Sequence, residues 1–177
     1  MPITPIHCSI AYLARAFKPQ LSLPALLVST MVPDLEIPFV SIITSGQYSR
    51  LALHSFLGAV TLATMLSVFL TVFVYSPVVS YLFKLDCKTV KDRCRFSWSM
   101  VAVCFMGSLS HVLIDSMHHE YNPLLFPFTY DSFDALLLMN DWTLASVIIP
   151  ILFLSLLVFF VSKEIKKGTK NIRSGDR

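Results

Sequence analysis

Two long apolar runs constrain this chain more than anything else in it. Residues 51–83, LALHSFLGAVTLATMLSVFLTVFVYSPVVSYLF, and 142–161, WTLASVIIPILFLSLLVFFV, contain no Asp, Glu, Lys or Arg. An uncharged apolar stretch of about 18 or more residues is long enough to cross a bilayer. A third run, Phe96 to Met117, meets a charge only near its end, at Asp115. Only 14% of the 177 residues are charged, against about 25% in a soluble domain, so no soluble domain fits around these runs. The expected fold is all-α and polytopic. A small bundle of about four to five membrane segments over residues 1–162 forms one domain, followed by a basic tail at 163–177. The net charge of +3 is no argument for nucleic acid, because the basic residues lie in two clusters flanking apolar spans. The first twelve residues carry neither a basic region nor a small-residue cleavage site, so no cleaved signal peptide is expected.

The first 43 residues read differently. Thr4-Pro5 suits the start of a helix that stops at Lys18-Pro19, and Ser22 caps a second helix with Pro24 in its first turn. Pro33 and Pro38 then break that helix around Asp34 and Glu36. Each arm is about 17–20 Å long, short of the ~30 Å hydrocarbon core. Residues 5–43 should therefore form a broken or re-entrant hairpin that returns Asp34 to the level of His7. Irregular backbone at membrane depth persists only where it is buried in protein or lines a cavity. A helix from Arg50 to Phe83 follows, kinked or ended by Pro77, with His54 near its start. Next come a polar loop from Lys84 to Arg95, a helix from Phe96 to about Met117, an aromatic loop to Asn140 and a final helix from Trp142 to Val161. The tail from Lys163 is expected to be frayed.

Eleven of the fourteen Lys and Arg residues fall in the 84–95 loop and the 163–177 tail. The positive-inside rule makes both cytoplasmic and the protein a multi-pass component of the cell membrane. His54, His111 and Asp115 then approach the outer side, at one level. The loop from His118 to Asn140 lacks Lys and Arg and is dense in Phe and Tyr, which suits the headgroup region. Cys8, Cys87, Cys94 and Cys104 form no C-x-x-C pattern and are read as structural.

The stretch Gly107 to Phe128, GSLSHVLIDSMHHEYNPLLFPF, carries the chemistry. At about 100° per residue, His111, Asp115 and His118 share a face within roughly 60°, with His119 close by. Ionisable residues at membrane depth are costly and mark function. With His7, Asp34 and His54 they make an N/O donor set suited to Zn²⁺, Mn²⁺ or Fe²⁺, as one ion or two. A carboxylate outside the donor set, such as Glu36, is a candidate general base.

An early His7, then Pro33-Asp34-Leu35-Glu36, Arg50-x-x-x-His54-Ser55, Ser110-His111-x-x-x-Asp115, Asn122-Pro123-Leu124 and Pro127-Phe128, resembles the YdjM-like family of membrane-bound metal-dependent hydrolases. The resemblance runs from His7 to Phe128. It implies His7, Asp34, His54, His111 and Asp115 as metal ligands. It also matches Arg50 to the family's arginine, and His119, rather than His118, to its later histidine. The function expected is metal-dependent hydrolysis of a phosphoester or ester in a lipid or other amphiphile at the membrane–water interface. An ion- or proton-coupled transporter, or a non-catalytic scaffold using the same cluster, is the competing expectation. Membrane lipids are the expected partners.

Overall fold

The computed structural model describes residues 4–175, with side chains over 6–166. All regular elements among the described residues are helical. A 3₁₀ turn, Thr4–His7, leads into α1 (Cys8–Phe17). Ser22 caps α2 (Leu23–Ser29), its Oγ accepting from the Ala25 amide. The 3₁₀ turn Val32–Leu35 then bends the chain into α3 (Glu36–Ile43), and α2 and the Val32–Ile43 segment meet at 42°. The long helix α4 spans Phe56–Phe83. A short helix α5 (Cys87–Arg93), capped by Asp86, lies within what the sequence suggested was plain loop. α6 (Trp98–Asp115) is capped by Ser97, and α7 covers Trp142–Gly175.

Three helices, α4, α6 and α7 as far as Lys166, are long and apolar enough to cross a membrane; counting the bent α2–α3 pair as one span makes four. That is at or below the low end of the expected four to five. The reason is length: α1 has ten residues and α2 seven, so neither spans alone. α7 runs past Val161, so the tail expected to fray from Lys163 is helical to Gly175; residues 176–177 lie outside the described residues.

α4 does not begin at Arg50. Residues 50–55 are irregular because Glu36 takes up the amides of Leu51, Leu53 and His54. The helix starts only where Ser55 Oγ accepts from the Gly58 amide. Within α4 the turns at Ala59–Ala63 and Leu70–Tyr75 are wound as π-helix. The second immediately precedes Ser76-Pro77, where an α-turn would clash with the pyrrolidine ring and lack its donor.

The buried centre is made of small residues. Ala11, Ala25, Leu26, Met100, Val103 and Cys104 join α1, α2 and α6. A seam of hydroxyls runs beside them, with Ser67 Oγ 3.4 Å from Ser108 Oγ and Ser108 bonded to the Ser29 carbonyl. Small residues and interhelical hydroxyls replace the hydrophobic drive that is missing between helices in lipid. By contrast only 11% of the apolar window of α7 is buried. It packs on α1, where Tyr12 stacks on Phe160, and leaves most of its apolar surface exposed.

Gly107 lies against Ser29, and a Cβ there would fall 2.8 Å from Ser29 Cβ and closer still to its Oγ. Gly107→Ala should lower stability by about 1–3 kcal/mol through overpacking. Thermal unfolding in detergent should show the loss, and adding Ser29→Gly should recover part of it.

Candidate metal centre

Four side chains from three segments, Asp34, His54, and His111 with Asp115, meet where the helix break, the 50–55 segment and the end of α6 converge. His54 Nε2 lies 3.4 Å from Asp34 Oδ1 and 3.4 Å from Asp115 Oδ2. His111 Nε2 lies 3.4 Å from Asp34 Oδ1 and 3.5 Å from Asp115 Oδ2. All four residues are buried, and these four atoms have no hydrogen-bond partner.

Their second nitrogens explain what the facing atoms are. His54 Nδ1 lies 2.8 Å from Glu36 Oε1, and His111 Nδ1 2.7 Å from the Thr30 carbonyl. Both acceptors fix the proton on Nδ1, so in the neutral rings each Nε2 is a lone pair aimed at carboxylate oxygens. Buried lone pairs set face to face repel unless a cation sits between them. Four donors ~2.1 Å from one tetrahedral ion are about 3.4 Å apart, which is the spacing of all four imidazole–carboxylate edges. The donor set fits a divalent ion: two carboxylates balance its charge and two neutral imidazoles complete the shell.

A proton is the other cation that satisfies the cluster. Burial depresses the His54 pKa, but the carboxylates of Asp115, Asp34 and Glu36 outweigh it and push it up to about 10.

Local sequence explains each placement. Thr30 has a free carbonyl because Pro33 has no amide to offer and the Asp34 amide turns to the Met31 carbonyl at 3.2 Å. The proline break thus both aims Asp34 inward and supplies the oxygen that orients His111. Gly58 lets the Ala52 carbonyl approach closely, where a Cβ would collide with it, and this fixes the loop bearing His54.

The remaining residues singled out in the sequence surround this core. His7 is buried with Nε2 3.2 Å from Asp115 Oδ1, and its ring lies 4.0 Å from that of His111. It is adjacent to the group of four rather than within it. Arg50, also buried, places Nε 3.6 Å from Asp115 Oδ2 and donates from Nη2 to His119 Nε2 at 3.1 Å. Burial lowers the His119 pKa most; Asp115 opposes it and the Arg50 guanidinium adds to it, leaving His119 neutral with a pKa of about 3. His118 Nδ1 donates to the Ile114 carbonyl. Asp115, His118 and His119 form a second candidate group, but its His119 Nε2 already accepts from Arg50. A cleft of about 510 Å³ lies alongside, lined by His7, Arg50, His118 and His119 on one wall and by Trp142, Ile149, Pro150 and Phe153 of α7 on the other.

Residues 1–129 match the family described as a domain of unknown function, DUF4184. The chain belongs to that family. No curated protein and no solved structure matches it. The DUF4184 match contains every residue of the cluster, together with Glu36, Arg50, His118 and His119.

Sequence reading missed the part played by Glu36. Its Oε1 accepts from the amides of Leu51 and His54 and from His54 Nδ1, and its Oε2 from the Leu53 amide. The available signal was its position two residues after Asp34, in the same broken turn. Protein purified without chelator should carry about one divalent ion per chain, and Asp34→Asn or His111→Ala should abolish the binding in elemental analysis. Glu36→Gln, which leaves the four donors in place, should weaken metal affinity by roughly 10–100-fold.

Proposed function

We propose that this protein is a membrane-bound metal-dependent hydrolase, as its resemblance to the YdjM-like family implies, acting on a phosphoester or ester of an amphiphile at the membrane–water interface. The observation that carries this reading is the set of four buried, unpartnered donor atoms at tetrahedral-edge spacing beside a cleft that holds an arginine. Asp34, His54, His111 and Asp115 hold the ion, with Zn²⁺ favoured and Mn²⁺ or Fe²⁺ compatible with the same donors. Such an ion supplies Lewis acidity and lowers the pKa of a water towards ~7.

The chain's own groups do the rest. Arg50 sits between the donor cluster and the cleft, where its guanidinium binds and orients an anionic phosphoryl or acyl oxygen. His119, neutral and accepting from Arg50, aims that guanidinium. His118 lines the cleft with Nδ1 tied to Ile114, and its Nε2 is the nitrogen left to take a proton. Glu36 has its lone pairs committed to the 51–54 backbone and to His54, so it positions a ligand instead of acting as a base. The apolar wall from α7, Trp142, Ile149, Pro150 and Phe153, accommodates the tail of the substrate and keeps bulk water from the reacting bond.

The site faces outward in this reading, with α5 and the end of α7 cytoplasmic, because the basic residues concentrate there. In a cysteine-depleted background, Asp131→Cys should react with an impermeant maleimide on intact cells and Lys88→Cys should not. The opposite pattern would place the site on the inner face.

The deciding experiment compares a lipid phosphoester with its short-chain soluble analogue. Metal-loaded protein should hydrolyse the lipid faster, and metal-stripped protein and His54→Ala should lose the activity. Arg50→Ala should reduce kcat by about 10²–10³ with metal content unchanged. Equal rates on both substrates would remove the amphiphile, and metal-loaded protein inert towards both would overturn the hydrolase reading.

A further inference from the structure

A second cavity, of about 670 Å³, lies at the other end of the bundle. It opens between the α1–α2 turn, the last turns of α4, helix α5 and the first turn of α6. Met100 on its wall is about 22 Å along α6 from Asp115, so it shares nothing with the metal centre. Three arginines, Arg15, Arg93 and Arg95, line it, and Asp92 is the one acid on its described lining. The deeper wall is apolar, including Val79 and Met100. The rim is built rather than incidental, since Ser22 Oγ donates to the Arg93 carbonyl and ties α5 to the start of α2. The positive end of the 18-residue α6 opens beside it through Ser97 and Ser99.

Depth in the membrane is marked by neighbouring aromatics. Tyr81 and Trp98 are 85% and 80% exposed on the outer surface of the same end of the bundle, which is where an interfacial belt sits. The arginines are therefore at headgroup level and the apolar wall at the level of the first acyl carbons. A free phosphate would meet only the arginines; a phospholipid matches both parts.

We propose that this cavity is a binding site for the headgroup of an anionic phospholipid, held by Arg15, Arg93 and Arg95 with its upper acyl chain against Val79 and Met100. Basic pockets between transmembrane helices on the cytoplasmic side take anionic headgroups in this manner. The bound lipid is a structural ligand, not a substrate, and the assignment stands whether or not the outer site hydrolyses anything.

Trp98 and Trp142 are the two tryptophans of the chain, so Trp142→Phe leaves Trp98, beside the cavity, as a sole reporter. In vesicles or nanodiscs the probe is brominated phosphatidylglycerol against brominated phosphatidylcholine, with Trp98 quenching as the readout. Phosphatidylglycerol should quench preferentially, by about five-fold in relative association for each guanidinium engaged. Arg93→Gln with Arg95→Gln should reduce the preference by about 25-fold, leaving only the roughly five-fold share of Arg15. Lys88→Gln with Lys91→Gln, an equal charge change in the same segment but off the lining, should keep it. All variants should unfold at the temperature of the parent, since these side chains are exposed. Equal quenching by both lipids would overturn the proposal, as would equal loss in the lysine pair, which would indicate diffuse surface charge. Protection by excess inorganic phosphate as complete as that by unbrominated phosphatidylglycerol would replace the lipid with a small anion.

Discussion

Electron pairs facing one another in a buried space are the constraint that the rest of this molecule accommodates. Asp34 and Asp115 bring ligand atoms within 4.8 Å of each other, a separation at which two negative charges repel by about 3.5 kcal/mol at an effective dielectric of ~20. The two imidazoles between them face the carboxylates with Nε2, and their protons are held on the far nitrogens by Glu36 and by Thr30. A marginally stable fold tolerates this arrangement only with a positive charge at its centre. The surrounding helices hold the donors in place against that repulsion, which Arg50 and His7, set against Asp115 from the other side, offset only in part.

That demand accounts for where the helices stop. The break at Val32–Leu35, the late start of α4 and the end of α6 at Asp115 all occur at one level. Each interruption releases a backbone group or redirects a side chain that the site then uses. Away from this level the helices are regular and packed through Ala, Ser and Gly, as at Gly107 against Ser29. Irregular backbone and ionisable side chains therefore occupy the same place, and each is tolerable there because of the other.

The sequence made much of this legible. Uncharged runs of 20 or more residues announced the longest helices, and Ser22 caps α2 as its place before an apolar stretch indicates. His111 and Asp115 are legible as ligands because a four-residue spacing puts them on one face. The 50–55 segment was not legible. Its apolar composition reads as helix, and the distant Glu36 carboxylate, 15 to 18 residues earlier, holds it in irregular turns instead. The standing of His7 was hidden for a similar reason: its distance to the group of four depends on how α1 packs, which no local pattern encodes. The cap at Asp86 that turns part of a basic loop into α5 was readable in principle, but five basic residues in a dozen drew attention to charge instead of geometry.

The marginal attachment of α7 divides labour along the chain. Every donor, and every group that orients a donor, lies before residue 120, whereas Trp142, Ile149, Pro150 and Phe153, which face them across the cleft, belong to a helix whose apolar surface is mostly exposed. Substitutions on that helix can reshape the space available to a ligand without disturbing the electrostatics that hold an ion. The pairing is that of a fixed anvil with an exchangeable jaw: the shape of the cleft can drift while the donor cluster stays in place.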